Sequence, residues 1–361
     1  MKPYLIAALF IAGCSGADTA PKDSPATDAI PKTGLTAMTA NFNIDNVIGT
    51  PSVVDCTLSG GTKTECLSIT LAAAPPSFKI GPWCPRNISG GPDVSGIWLE
   101  GGKVYDADGA FIQNMSTFYK DPKWQMFDPA TGKINVTDSK VSCEAAARPD
   151  VDPQYQNHCV ECDVSYLESG LSQTYVIPIM PSNAQTISPR VSAGGVGVAF
   201  SGVRLDASAP TDAILSAYTL APFDDCGGHV NLNVGYHIHA ATDCLNSAAK
   251  STAHALQLGL AMDGYPIMTR LTRAGQEPAD LDLCRGHETD GIGYHYHVND
   301  PGANAIIGCH KGETGCTLTE ANGTCDATQS ARRGPPGGGD RGDRPPRGER
   351  PERGDRPPKP Q

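Results

Sequence analysis

Aromatic residues are scarce in this 361-residue chain, at 6%, and charged residues make up only 19%. So little ring surface is thin for a dedicated lectin, which stacks sugars on aromatic faces. Basic residues are the minority. The 28 Lys and Arg stand against 39 Asp and Glu, a net charge of −11 that excludes a nucleic-acid binder for the chain as a whole. No run after the first dozen residues approaches the about 20 apolar residues that a membrane-spanning helix needs. G-x-S-x-G, the phosphate-binding P-loop and H-E-x-x-H are all missing, and with them three common catalytic signatures. What is present bounds the answer further. A 39% hydrophobic content excludes a wholly disordered chain, and 40 Gly with 30 Pro exclude a coiled coil. At about 100–200 residues per domain, the length allows one large domain or two smaller ones.

Residues 1–14 read as a lipoprotein signal peptide: Met1-Lys2-Pro3, the apolar stretch Tyr4 to Ile11, then Ala12-Gly13-Cys14. Ile11-Ala12-Gly13-Cys14 resembles a bacterial lipobox with Cys14 as the lipidated residue, the alternative being an ordinary signal peptide that contains a cysteine. The expectation is a cell-envelope protein whose membrane partner is reached through a lipid on Cys14, at the outer membrane in a Gram-negative host. Twelve further cysteines, an even number, predict up to six disulfides in an oxidising compartment. Cys159-Val160-Glu161-Cys162 has thiol-redox or zinc spacing, but without a second such pair the disulfide reading is preferred.

Residues 15–40, rich in Ala, Thr, Ser, Pro and Asp, predict a flexible tether. Residues 331–361 hold nine basic and five acidic residues among Pro and Gly, which predicts a disordered tail of net charge +4. Such a tail suits either contact with an anionic surface polymer or simple solvation. Between them the pattern is mainly β with a few short helices, an α+β class. Strands are expected at Ser95–Leu99, Lys103–Tyr105, Ala110–Ile112, Thr174–Ile179 and Gly197–Phe200, and helices at Thr211–Leu220 and Ala248–Leu258. A boundary near residue 185 separates a β-rich, Cys-containing N-terminal region (41–185) from a histidine-rich region (186–330).

The strongest feature is an internal duplication of D-x-C-x-G-H-x5-G-Y-H-x-H. Its first copy runs from Asp224, Cys226 and His229 to Tyr236, His237 and His239. Its second runs from Asp282, Cys284 and His287 to Tyr294, His295, Tyr296 and His297, with every spacing identical. An upstream piece repeats too, Gly197–Leu205 against Gly259–Ile267, so the region is a tandem pair of one supersecondary unit. Eight of nine histidines lie between 229 and 310, and six occupy repeated positions. In a strand, alternation puts His237 with His239, and His295 with His297, on one face about 6.5–7 Å apart. Adding His229 or His287 gives three neutral imidazoles with a fourth position open, the donor set of a zinc or copper site. Six histidines allow one site per copy or a single site between copies. Asp224, Asp282, Tyr294 and Tyr296 are candidates to orient the imidazoles, Asp263 and Glu288 are candidate general bases, and His158, His254 and His310 fall outside the set. A local disulfide in each copy, Cys226 with Cys244 and Cys284 with Cys309, is expected.

At these residues the chain resembles the bacterial YHYH-domain proteins. The resemblance is carried by Tyr294-His295-Tyr296-His297, by Asp263-Gly264-Tyr265-Pro266-Ile267, by Asp282-x-Cys284-x-Gly286-His287 and by Ile306-Ile307-Gly308-Cys309. It spans about residues 190–312 and implies an exported, often lipid-anchored protein, without implying a reaction. Two departures stand out: Met268 replaces the usual Tyr, and the first copy has Ile238 in place of the second Tyr. Two functions follow. One is a surface protein that binds a transition metal through its histidine triads, with or without catalysis. The other is a non-catalytic binding or architectural module for carbohydrate or polymer in which the histidines are structural.

Overall fold

The computed structural model describes residues 38–330 except 77, 149, 188–190, 192–193 and 320–322. The signal segment with Cys14, most of the tether and the 331–361 tail lie outside the described residues. Strands β1 (Val47–Thr57) and β2 (Lys63–Ala72) form a hairpin, and β3 (Ile97–Glu100) and β4 (Lys103–Asp106) form another. Helices α1 (Gly109–Phe118) and α2 (Lys140–Ala146) follow, then β5 (His158–Cys159) and β6 (Ser172–Pro178). The first repeat comprises β7 (Gly197–Ala199), β8 (Arg204–Leu205), α3 (Thr211–Ser216), β9 (Thr219–Leu220), β10 (Gly228–Asn231) and β11 (Gly235–Ile238). The second comprises β12 (Lys250–Ser251), β13 (Leu256–Ala261), β14 (Pro266–Met268), β15 (Gly286–Thr289) and β16 (Gly293–His297). Strand β17 (Cys316–Leu318) and helix α4 (Ala327–Ser330) come last.

The duplication is visible in the sheet order β10-β11-β8-β7-β13-β14-β16-β15, which reads the same from either end when each strand is exchanged for its repeat counterpart. In each half an antiparallel hairpin is joined through a parallel pairing, β11 to β8 in the first copy and β16 to β14 in the second. The halves meet where β7 and β13 pair antiparallel, Val198 opposite Leu260, with Gly197 opposite Ala261 and Ala199 opposite Gly259. Because Val198 and Leu260 are equivalent positions, a local twofold axis passes between them. A Cβ on Gly197 would lie 2.2 Å from the Leu260 carbonyl oxygen, and one on Gly259 2.1 Å from that of Val198, so only glycine permits this close crossing.

A four-stranded sheet, β1-β2-β6-β17, packs on the middle of this sheet. Leu67, Ile69, Leu71, Tyr175 and Ile177 meet Val198, Phe200, Leu260 and Met262 there, all buried. Its last strand, β17, comes from beyond the second repeat, so the sheet that begins in the N-terminal region is completed by the chain past residue 185. The larger core joins Trp83, Trp98 and Ile112 to Phe223, Tyr236 and Tyr296. Trp98 stacks on Phe223 at 6.1 Å, and Ile97 and Phe223 exchange backbone hydrogen bonds of 2.6 and 2.9 Å. These contacts seat the N-terminal region on the first copy.

The fold is mainly β with short helices and six disulfides. Three local expectations are corrected. Ala110–Ile112 is helical, because the Asp108 side chain accepts from the Phe111 N–H at 2.8 Å and caps α1. Ala248–Leu258 is not a helix: its last three residues enter β13, where pairing on both sides and the buried Leu258 and Leu260 override local propensity. The helix from Thr211 stops at Ser216, and Tyr218 turns the chain into β9 at a φ of 55°. Cys159 and Cys162 are bonded to Cys84 and Cys143 and not to each other, so the C-x-x-C spacing carries no redox pair.

Candidate metal centres

The repeated motif divides into a brace and a set of ligands. In the first copy Asp224 Oδ1 accepts from the backbone N–H of Cys226 and of Gly228, both at 3.1 Å. In the second, Asp282 Oδ1 accepts from Cys284 at 2.9 Å and Gly286 at 3.0 Å. The tyrosine of G-Y-H donates to the same carboxylate, Tyr236 at 2.9 Å and Tyr294 at 2.8 Å. To do so the phenol crosses the glycine that precedes the first histidine: a Cβ there would lie 2.6 Å from Tyr236 Oη in one copy and 2.1 Å from Tyr294 Oη in the other. Each motif cysteine bonds to the next cysteine along the chain, Cys226 to Cys244 and Cys284 to Cys309. Asp, Cys, Gly and Tyr therefore fix the hairpin, and the histidines are left to the opposite face.

Hairpin register sets His229 opposite His237 and His287 opposite His295, while His239 and His297 follow two residues along the same face. Backbone carbonyls orient four of these rings in matched fashion. His237 Nδ1 donates to Gly235 O at 3.1 Å and His295 Nδ1 to Gly293 O at 2.9 Å. His239 Nδ1 donates to Ala207 O, and His297 Nδ1 to the equivalent carbonyl of Thr269 at 2.6 Å. A carbonyl only accepts, so each Nδ1 carries the proton and each Nε2 is a lone pair. The Nε2 atoms converge. In the first copy, His229 and His239 approach to 3.2 Å. In the second, the spacings are His287–His295 3.0 Å, His254–His297 2.9 Å and His254–His287 3.2 Å.

Burial holds the imidazoles of His229 and His237 well below the usual 6.5, with neighbouring imidazoles adding to the effect. It lowers His239, His254 and His295 as well, and His297 is pushed down to about 4. These rings are neutral near pH 7, the form that ligates metals. A cation at the centre converts facing lone pairs into bonds. Nitrogens at tetrahedral corners, 2.0–2.1 Å from a metal, are about 3.3–3.4 Å apart, close to the spacings observed. His229, His237 and His239 can thus hold a metal in the first copy, and His254, His287, His295 and His297 in the second, with the donor nitrogens of each group within 4.8 Å of one another.

His254, outside the sequence motif, is the addition. It sits in the turn before β13, and the repeat register puts Ser192 at the corresponding sequence position of the first copy. Asp280 is a second residue the motif does not contain: its Oδ1 lies 2.8 Å from His287 Nδ1 and orients that ring as carbonyls orient His237, His239, His295 and His297. Asp224 and Asp282 do not act on imidazoles, since their oxygens serve the turn and the tyrosine. Tyr294 and Tyr296 likewise point away from the histidines, because alternation in β16 puts them on the other face. Tyr296 donates to Asp263 Oδ2 at 2.5 Å, which also accepts from Gly312 N–H at 2.9 Å. Asp263 is a fully buried partner of that phenol and not a base beside the metal centre. Glu288, opposite Tyr294 in the hairpin, is exposed on the tyrosine side. His310 donates its Nε2–H to Val196 O at 2.9 Å, and His158 Nδ1 donates to Gln156 O at 3.0 Å, so both stay outside the centres.

The surroundings of the two centres differ. The N-terminal region reaches over the first copy: Gly81 N–H donates to Asp224 at 3.0 Å, Trp83 Nε1 to Gly228 O at 3.0 Å, and Tyr236 N–H to Ala73 O at 2.7 Å. Asp224 is buried by this cover and its carboxyl is pushed up to about 6, against the pull of its N–H donors. Asp282 is exposed, with Lys311 Nζ at 4.0 Å. Between cover and first copy lies a cavity of about 330 Å3 whose floor is His229, His237 and His239.

The family model described as "YHYH protein" matches residues 174–280. The matched span opens at β6, holds the whole first copy and His254, and ends before His287, a different extent from the 190–312 of the motif resemblance. No curated protein and no solved structure matches the chain.

Proposed function

We propose that this chain is an exported, lipid-anchored protein of the bacterial cell envelope that binds a transition metal, zinc or copper, at each copy of a duplicated YHYH module. The observation that carries the reading is the convergence of ring nitrogens in both copies, where five of the seven imidazoles (His237, His239, His287, His295 and His297) already commit their Nδ1–H to a carbonyl or to Asp280 and so present Nε2 as a lone pair. A core histidine used only for packing satisfies both nitrogens with hydrogen bonds. Here the second nitrogens face one another. Six disulfides support an oxidising location, and Ile11-Ala12-Gly13-Cys14 supports the lipid anchor. Imidazole suits both zinc and copper. Bound there, either ion would supply a Lewis-acidic centre, and copper also a redox one.

Metal content per chain tests this. The full chain, purified without a His-tag or chelator, is expected to carry about two equivalents of zinc or copper, and His295→Ala/His297→Ala about one. Absence of metal from both, even after reconstitution, would return the histidines to a structural role and leave a non-catalytic surface module.

A further inference from the structure

The two centres differ in how many nitrogens they offer and in what lies beyond them. Four imidazoles complete a tetrahedral shell in the second copy. Three leave one position free in the first copy, where the three histidines form the floor of the 330 Å3 cavity. Its walls come from outside the motif and are largely apolar, including Trp83, Val160, Ile214, Ala221 and Pro222. The charged wall residues already have partners. Arg148 pairs with Asp150 at 2.6 Å, and Glu161 accepts from Arg86 and from the Cys84 N–H. Asp206, the acid nearest this centre in its electrostatic effect on His229 and His239, pairs with Arg204 at 3.0 Å.

A divalent ion held by three neutral imidazoles would therefore place two positive charges against apolar walls, and burying charge without a counter-charge is strongly unfavourable. A donor that carries one negative charge answers both needs: it fills the fourth position and halves the excess charge. The volume, at the lower end for small-molecule sites, suits an apolar body of modest size. We infer that the three-histidine centre of the first copy, and not the four-histidine centre of the second, takes a small carboxylate with an apolar body as an exchangeable ligand. This rests on the metal-binding reading above.

Cobalt(II) in place of the natural metal makes both parts visible, because its absorption reports the coordination of each centre. In the full chain, His287→Ala/His295→Ala retains only the first centre and His229→Ala/His237→Ala only the second. Titration with sodium hexanoate is expected to shift the absorption of the first variant at least tenfold below the concentration needed with acetate, since each buried methylene tightens binding about fourfold. Hexan-1-ol, lacking the charge, should leave the absorption unchanged, and the second variant should respond to none of the three. Ala221→Phe should keep its cobalt and lose the preference for hexanoate. If the double variants fail to fold, the wild-type chain with both centres loaded serves, with only the first centre's share of the absorption shifting. A cobalt-loaded first centre that ignores hexanoate, or answers acetate equally well, overturns the inference while leaving metal binding intact. A chain that takes up no cobalt at either centre overturns metal binding itself, and elemental analysis separates the two failures.

Discussion

The two copies of the motif share one brace and diverge in what surrounds it. In both, an aspartate collects two N–H groups and a tyrosine, a disulfide pins the turn, and carbonyls aim the imidazoles. The first copy is then covered by Ala73, Gly81 and Trp83 and keeps three histidines lining a cavity, while the brace of the second stands nearer solvent and its cluster gains His254 as a fourth. The lesson is that the motif specifies a hairpin with two aimed imidazoles, and that the size of each histidine cluster and the cover around it are decided by chain segments the motif does not contain.

The contrast is tested most severely at the two aspartates. Asp224→Ala strands four buried donors, those of Gly81, Cys226, Gly228 and Tyr236, and should destabilise the chain by about 3–5 kcal/mol in guanidinium unfolding. Asp282→Ala, where water can replace the carboxylate, should cost about 1–2 kcal/mol. Equal effects would mean that the cover over the first copy does not matter. Next comes Asp280→Ala, which frees the Nδ1 of His287. Metal affinity at the second centre should fall about 10–100-fold, measured by competition with a chelator, with the first centre unchanged.

Acid should loosen the metal-free chain. The buried imidazoles have folded pKa values below 6.5, so from about pH 6.5 downward the unfolded chain binds protons that the folded chain refuses, and stability falls toward His297's value of about 4. Asp224, pushed up to about 6, works in the opposite direction, gaining its proton in the folded state first. The several histidines outweigh one carboxylate, so thermal midpoints of chelator-treated protein should drop between pH 6.5 and 4. A flat profile would contradict the burial of the imidazoles. The smallest effect is expected at Glu288: Glu288→Gln should leave metal content unchanged and stability within about 0.5 kcal/mol, because its side chain is exposed on the tyrosine face.

Much of this site is legible in sequence because it is local. Identical spacing of D-x-C-x-G-H and G-Y-H-x-H announces a duplicated unit, and strand alternation alone separates His295 and His297 from Tyr294 and Tyr296. The residues that were missed or misplaced belong to longer-range geometry. His254 joins the second centre from a turn 33 residues before His287, and Asp280 reaches back across seven residues to a ring that strand periodicity does not associate with it. Asp224 and Asp282 sit five residues from the motif's first histidines, yet the turn N–H groups and the tyrosine hold their carboxylates away from the imidazoles. Trp83 and Val160, walls of the cavity, meet the first copy only through tertiary packing. Nor could periodicity show that residues 256–258 open the central strand β13, since they precede the Gly259–Ala261 stretch that matches β7.

The antiparallel meeting of β7 and β13 at Val198 and Leu260 has a further consequence. Two identical half-chains that met in this way would be a dimer, in which every substitution appears twice and assembly depends on concentration. Joined in one chain, the halves meet at a fixed local concentration whatever the dilution, and a substitution touches one of them only. One histidine cluster can then acquire a fourth member while the other keeps three, an inequality that a pair of identical subunits cannot encode.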